Sequence, residues 1–101
     1  MNGNISETKY YVYTLLSLKD FELYTSLATD LRQRLSDHYK GLIITKISKP
    51  FKLIHYEYFL NFDDAKDREH YLKSNLGRSH LKQITKKSQR SLRNYPYKLA
   101  K

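Results

Sequence analysis

Apolar and polar residues alternate in several short stretches of this chain and recur at helical spacing in others. Residues 9–16 and 21–27 are rich in tyrosine, valine and leucine and are short, which favours strands over helices. Residues 17–20 form a polar turn between them, so the two strands are predicted to pair as a hairpin. Residues 51–59 alternate in the same way and predict a third strand after Pro50.

The first helix is predicted between the hairpin and the third strand. Thr29 or Asp30 provides a capping side chain, and the helix is expected to run to about residue 39. Leu31 and Leu35 form its predicted buried stripe, and Gly41 is typical of the residue that ends a helix. Residues 42–50 are predicted to be a loop.

Two further helices are predicted in the last third of the chain. Asn61 and the acidic residues after it favour a helix start, so a helix is expected over about residues 63–73, with Ala65 and Leu72 inward. Leu76 and Gly77 are expected to break it, and a third helix is expected from about residue 78. The inward-facing residues of that helix are predicted to be Leu81, Ile84 and Leu92.

These elements predict an α+β fold, with a small mixed or antiparallel three-stranded sheet flanked by about three helices. With 101 residues the chain is expected to form a single domain over residues 1–101, including a basic C-terminal helix and tail over about residues 78–101. The absence of cysteine excludes disulfides and thiolate metal sites, and three glycines are too few for a P-loop or dinucleotide fingerprint. No apolar run is long enough to span a membrane, so a cytoplasmic protein is expected.

The charge is distributed unevenly along the chain. Residues 1–69 contain as many acidic as basic residues, whereas every charged residue after Glu69 is basic, so the net charge of +9 lies in the last third. A stretch of one sign attracts polyanions, which favours nucleic acid as a partner over a merely solubilising tail. The candidate nucleic-acid-binding residues are Lys73, Arg78, Lys82, Lys86, Lys87, Arg90 and Arg93.

Five residues are candidates for chemistry on a phosphodiester. Arg34 and His38 are four residues apart and so share a helix face, and Tyr13 and Tyr24 lie on the paired strands. Glu69 occupies a position of the second helix where an apolar residue is expected. Each has an ordinary explanation as well: the Arg–His pair is typical of a solvated helix face, strand tyrosines usually pack, and Glu69 can form an ion pair with Arg68 or Arg34.

These residues lie in stretches that resemble the GIY-YIG nuclease superfamily, specifically its small single-domain bacterial members related to the catalytic module of the nucleotide excision repair incision subunit. The stretches are YYVYTLLSLKD, LYTSLATDLRQRLSDH, KPFKLIHYE and DDAKDREHYLKSNLGR. Tyr13 and Tyr24 are similar to the tyrosines of the two signature triplets, here YVY and YTS. Arg34 and His38 match the helix arginine and the His or Tyr one turn later, and Glu69 matches the metal-binding glutamate.

The resemblance implies a metal-dependent endonuclease that hydrolyses DNA phosphodiester bonds and selects DNA by shape rather than by sequence. Tyr13, Tyr24, Arg34 and His38 would be catalytic, and Glu69 would hold one Mg²⁺ or Mn²⁺ ion. No small-molecule cofactor and no membrane partner are implied. The resemblance leaves open which tyrosine is the base, and whether the pathway is DNA repair, restriction or a mobile element.

The sequence departs from the family around the second triplet and in the hairpin turn. Ser26 stands in place of the triplet's glycine, Phe21 replaces the glycine of the tight turn, and Leu27 and Ala28 also differ. These departures motivate one alternative, a catalytically weak or inactive nucleic-acid-binding module of the same fold. A third, weaker interpretation is a basic protein that associates with RNA or the ribosome.

Overall fold

The computed structural model describes residues 8–43 and 46–93. The predicted tail beyond Arg93 and part of the predicted 42–50 loop lie outside the described residues. Within them, no helix is both long enough and apolar enough to span a lipid bilayer. The elements in chain order are β1 (Tyr10–Ser17), β2 (Leu23–Ala28), α1 (Leu31–Lys40), β3 (Phe51–Phe59), α2 (Phe62–Lys73), α3 (Asn75–Ile84) and α4 (Lys86–Arg93).

The three strands form one antiparallel sheet in the order β2-β1-β3, which confirms the predicted α+β fold. In the register of the hairpin, Tyr13 lies opposite Ser26 and Leu15 lies opposite Tyr24. Directly opposed residues point to the same face of a sheet. The register of β1 against β3 shifts between Thr14 and Leu15.

The turn between β1 and β2 contains an unusual backbone conformation. Phe21 has a φ of 59°, in the left-handed region that glycine adopts most readily. This is the residue that stands in place of the turn glycine in the resemblance, and its backbone adopts a conformation typical of glycine. The guanidinium carbon of Arg93, at the end of α4, lies 4.1 Å from the centre of the Phe21 ring.

The core has two parts, one on each face of the sheet. On one face, the buried residues are Tyr13, Leu15, Ala28, Ile47 and Phe51, and Leu31 and Leu35 of α1 pack against them. On the other face, the buried residues come from the sheet and from α2 and α3: Val12, Leu16, Leu23, Ala65, Leu72 and Leu81. The sheet therefore separates α1 from the other packed helices.

The predicted ends of α1 are confirmed. Asp30 is its N-cap and accepts a hydrogen bond from the backbone N–H of Gln33 at 3.0 Å, and Gly41 ends it with a φ of 73°. The predicted stripe of Leu31 and Leu35 is only half-buried, whereas His38 is 1% exposed. The imidazole is thus the most deeply placed side chain of this helix.

The predicted break between the second and third helices is wrong in position. The chain turns at Ser74, whose hydroxyl accepts a hydrogen bond from the N–H of Gly77 at 3.1 Å, and α3 begins at Asn75 rather than near residue 78. Gly77 is therefore part of α3 and is buried. A Cβ at this position would collide with the backbone of Tyr71 and Leu72, so glycine lets α3 approach the end of α2 closely.

The predicted inner face of the basic segment is partly correct. Leu81 is fully buried, and Leu92 packs against the same core from α4. Ile84 is 50% exposed and is the last residue of α3, and a fourth helix, α4, begins two residues after it.

Candidate functional site

Four of the candidate residues meet on the face of the sheet that α1 covers. Tyr13 comes from the central strand and Tyr24 from the edge strand β2, and the register places both on this face. Arg34 and His38 come from α1, one turn apart. The two pairs are brought together because α1 packs directly over Tyr13 and Leu15. We call Tyr13, Tyr24, Arg34 and His38 the four-residue group.

The central contact of this group joins Tyr13 to His38. The hydroxyl of Tyr13 lies 2.8 Å from Nε2 of His38, and both side chains are almost completely buried. The rings of Tyr24 and Phe51 lie edge-on to the imidazole, with centroids 5.7 and 6.0 Å from it. Among the described residues, Nδ1 of His38 has no hydrogen-bond partner.

The surroundings favour the neutral forms of both partners. Burial raises the pKa of Tyr13, and nearby Tyr24 adds to the effect, which outweighs the hydrogen bonds from Ser26 and Arg34 that lower it. Burial and the positive charge of Arg34 lower the pKa of His38, against a smaller opposing effect of Asp37. At neutral pH the pair is therefore an uncharged hydrogen bond beside a guanidinium.

Arg34 supplies the positive charge of the site. Its side chain is half-buried, and one guanidinium nitrogen lies 3.5 Å from the backbone oxygen of Leu27. Within residues 8–43 and 46–93, no carboxylate lies within ion-pair distance of it. A guanidinium is always charged and binds phosphate bidentately, so an anion reaching this face would find a cation without an acidic partner.

Ser26 is a member of this site that the sequence reasoning treated only as a departure from the family. It lies directly opposite Tyr13 in the hairpin, and its interaction with the phenol acts to lower the pKa of Tyr13 against the larger effect of burial. The signal was the register of the hairpin, because a residue two positions after Tyr24 must share its face. Ser26 therefore supplies a hydroxyl to the site in place of the missing glycine.

Glu69 lies on α2, whose buried residues pack on the opposite face of the sheet from Tyr13. Its two carboxylate oxygens contact the ammonium groups of Lys66 and Lys73, each at 3.1 Å. Within the described residues, no hydrogen bond or ion pair links it to the four-residue group. Arg68, one of its partners in the ion-pair alternative, instead contacts Glu57 at 2.9 Å. The assignment of Glu69 to a common site stays a prediction.

The carboxyl group of Glu69 remains charged in this position. Burial acts to raise its pKa, but hydrogen bonds and charges from Lys73 and Lys66 outweigh burial, and the pKa is lowered. No cluster of three histidine or acidic side chains within the described ranges is arranged to hold a metal ion. One charged carboxylate fits Mg²⁺ or Mn²⁺ that keeps most of its waters, and both lysine side chains are more than half exposed and free to turn aside.

The seven candidate nucleic-acid-binding residues are exposed and extend from the end of α2 through α3 and α4. Two of them make specific contacts: Lys73 with the carboxylate of Glu69, and Arg93 with the ring of Phe21. The other five are Arg78, Lys82, Lys86, Lys87 and Arg90. Their role in binding nucleic acid stays a prediction.

Comparison with known proteins finds several that are similar in sequence to this chain. The model of the GIY-YIG catalytic domain family matches residues 9–85. A UPF0213 protein of Clostridium perfringens is 36% identical over 80 residues, which cover 77% of this chain and 85% of that protein. A UPF0213 protein of Haloquadratum walsbyi is 36% identical over 67 residues, covering 64% and 74%.

A solution NMR structure of a UPF0213 protein from Bacillus halodurans is also similar. It shares 31% sequence identity with this chain, and the alignment covers 88% of this chain and 89% of that one, with a TM-score of 0.43.

Proposed function

This chain belongs to the GIY-YIG catalytic domain family, and from that premise we propose that it is a metal-dependent endonuclease that hydrolyses DNA phosphodiester bonds. The observation that carries the proposal is the position of Arg34, a cation without an acidic partner among the described residues, beside two tyrosines and a histidine. A phosphodiester needs charge neutralisation on its oxygens and a positioned water, and this group offers donors for both.

Arg34 would bind the phosphate, and the two tyrosines would have different roles. Tyr13 is fully buried and its pKa is raised, so it remains protonated and serves to hold His38. Tyr24 is half-buried and reaches solvent at the edge strand, so it is the phenol that can contact a nucleophilic water. We therefore assign the positioning of that water to Tyr24 and the orientation of the site to the Tyr13–His38 pair.

Glu69 would hold the divalent ion. When bound, Mg²⁺ or Mn²⁺ supplies positive charge to the phosphate and to the departing oxygen. Helix α2 makes its largest contact with the sheet at β2, the edge strand that also carries Tyr24. A DNA strand crossing this edge would lie between the carboxylate and the four-residue group. Residues on the two faces of the sheet would then act on the same phosphodiester bond.

The basic residues of α3 and α4 would bind the DNA backbone without reading its sequence. Selection would then depend on DNA shape, such as a branch, a flap or a nick. The cysteine-free composition is compatible with a reducing cytoplasm, where we place the protein, and a role in DNA repair is one of the pathways this activity fits.

The experiment compares two glutamates that each pair with a cation. Supercoiled and branched DNA are incubated with wild type, Glu69→Gln and Glu57→Gln in the presence of Mg²⁺ or Mn²⁺. Glu57 is the matched control, because it is also a partly buried glutamate with a lowered pKa and paired with a cation, here Arg68. Cleavage by wild type and Glu57→Gln but not by Glu69→Gln is expected; equal cutting by all three, or by none, contradicts the proposal.

A second candidate function is a nucleic-acid-binding module without turnover. The observation that favours it is the engagement of both oxygens of Glu69 by Lys66 and Lys73, which leaves the carboxylate neutralised without a metal. This alternative predicts salt-dependent binding, no metal-stimulated cleavage, and an affinity of Arg34→Ala for DNA within about threefold of wild type, a difference below about 1 kcal/mol.

A further inference from the structure

Three tyrosines form a continuous aromatic surface on the same face of the sheet as the four-residue group. Tyr11 of β1 lies directly opposite Tyr58 of β3, and Tyr56 lies opposite Tyr13. The centroid of the Tyr11 ring is 6.0 Å from that of Tyr56 and 5.9 Å from that of Tyr58. We call Tyr11, Tyr56 and Tyr58 the tyrosine platform.

The platform is open to solvent. Tyr56 is 53% exposed and Tyr58 48% exposed, whereas Tyr13, the next residue along this face of β1, is completely buried beneath α1. Cross-strand packing accounts for contacts between neighbouring rings. It does not require two large aromatic side chains to leave half their surface in water, and clustered exposed aromatic surface is typical of a binding site.

A groove of about 460 Å³ adjoins the platform, within the range of about 300–1,000 Å³ typical of ligand clefts. It is lined by Tyr11 and Tyr56 and by residues at the corner between β2 and α1, including Asp30 and Arg32. The Asp30 carboxylate already caps α1, and Arg32 is exposed.

The charges beside the platform suit an anionic chain. The ammonium group of Lys9 lies 5.9 Å from the centre of the Tyr58 ring, and Arg32 lines the same groove as Tyr11 and Tyr56. Phosphates of a bound strand would contact these two cations while its bases lie on the rings of the platform. Aromatic side chains combined with flanking cations are the usual means of binding single strands.

We infer that the tyrosine platform stacks bases of an unpaired DNA strand and guides that strand to Arg34 and Tyr24. Bases in a duplex are covered by their neighbours, so only unpaired bases offer a free face to a tyrosine ring. Tyr11 and Tyr13 are two residues apart on one strand, about 7 Å, so a base on Tyr11 would hold the adjoining backbone near the four-residue group. The inference rests on the proposed function, since it names the DNA that this site receives.

The test measures binding separately from cleavage. A fluorescently labelled single-stranded DNA of mixed sequence, the matching duplex and the RNA of the same sequence are titrated in buffer with a chelator, so that no metal-dependent cutting occurs. The variants are Tyr56→Leu with Tyr58→Leu, each of these alone, and the corresponding phenylalanine variants. Tyr39→Leu is the control, because Tyr39 is 54% exposed but stacks on Phe51 at the opposite end of β3.

The double leucine variant is expected to bind single-stranded DNA at least about tenfold more weakly, because each lost stacking contact weakens binding several-fold. Its affinity for the duplex should change less than about twofold, and each single variant should lie between the double variant and wild type. The phenylalanine variants keep the rings and should bind within about twofold of wild type, as should Tyr39→Leu. These exposed positions tolerate leucine, and the unfolding midpoint of each variant verifies that it folds.

Two results would overturn the inference: an unchanged affinity of the leucine variants for single strands, or an equal loss for single strands and duplex. Tighter binding of the RNA than of the DNA would overturn it as well. Failure of the proposed function has a different signature, because a protein that cuts no DNA with any metal can still lose single-strand binding when Tyr56 and Tyr58 are replaced.

Discussion

The hydroxyl of Tyr13 and Nε2 of His38 lie 2.8 Å apart, in a hydrogen bond that joins the centre of the sheet to helix α1. Both side chains are excluded from solvent, and the bond spans 25 residues of sequence. Arg34 precedes His38 by one turn of α1. The hydrogen bond that holds the imidazole against the sheet therefore also determines the position of the guanidinium.

The first prediction concerns this hydrogen bond. Tyr13→Phe leaves Nε2 of His38 buried without its partner, so it should lower the free energy of unfolding by about 1–3 kcal/mol. Tyr58→Phe, at a half-exposed position, is the control and should change it by less than about 0.5 kcal/mol. Urea denaturation followed by circular dichroism measures the free energy of unfolding of both variants. Equal changes in the two variants would show that the hydrogen bond does not contribute to stability.

The second prediction concerns pH. Because the pKa of His38 is lowered in the folded protein, the unfolded chain takes up a proton on this side chain at a higher pH than the folded protein does. Stability should therefore fall as the pH drops below 6.5, the ordinary pKa of histidine, by at most about 1.4 kcal/mol per pH unit. The lowered pKa values of Glu57 and Glu69 weaken folding only below about pH 4.5, so these two carboxylates do not act in the interval from 6.5 to 5, where His38 contributes.

Urea denaturation at about pH 7 and about pH 5 checks this expectation. His38→Gln removes the titrating group and should show a smaller difference between the two pH values. His70→Gln, at an exposed position of α2, should keep the wild-type difference. An identical pH dependence of wild type and His38→Gln would contradict the assignment.

Sequence patterns predicted the elements whose signals are local. The ends of α1 followed from Asp30 and Gly41, because capping depends on residues adjacent in the chain. The burial of His38 was not visible in the same segment, since it depends on how α1 lies over Tyr13. Buried polar groups are usually hydrogen-bonded, and the partner that allows His38 to be buried is Tyr13, which comes from a distant strand.

Two other features depended on information that the sequence pattern alone does not contain. Gly77 was interpreted as a helix breaker, but its role is to admit the backbone of α2, which is a tertiary contact. The lysine partners of Glu69 are different, because they lie three residues before it and four after it, and helical spacing alone predicts both ion pairs. The face of the sheet that Glu69 occupies follows from the packing of α2.

The third prediction compares two glycines. Gly77→Ala places a methyl group against the backbone of α2, which cannot move aside as a side chain can, so unfolding free energy should fall by about 3 kcal/mol or more. Gly41→Ala meets only the end of the Lys49 side chain and is opposed by its positive φ, so about 1–2 kcal/mol is expected. The denaturant midpoints of the two variants show which substitution lowers the unfolding free energy more. A larger loss for Gly41→Ala than for Gly77→Ala would contradict the close packing of α3 against α2 at Gly77.

The fourth prediction concerns competition for Glu69. Both carboxylate oxygens contact ammonium groups, so a divalent ion must displace Lys66, Lys73 or both. Lys66→Met with Lys73→Met should therefore tighten Mn²⁺ binding at least about fivefold, since the carboxylate loses its competing cations. Calorimetry measures the affinity without DNA. Lys82→Met, an exposed lysine of α3, is the control, and Glu69→Gln should abolish the gain.

The fifth prediction concerns the basic face of α4. Lys86 and Lys87 are exposed and lie in a segment whose charged residues are all basic, so each is expected to contact one DNA phosphate. Each such contact contributes about 0.9 to the slope of log affinity against log salt, so Lys86→Ala with Lys87→Ala should lower the slope by about 1.8. Lys40→Ala with Lys49→Ala removes the same charge near the end of α1, across the sheet from α3, and should leave the slope nearly unchanged. If both pairs lower the slope equally, DNA binds through the net charge of the protein rather than through α4.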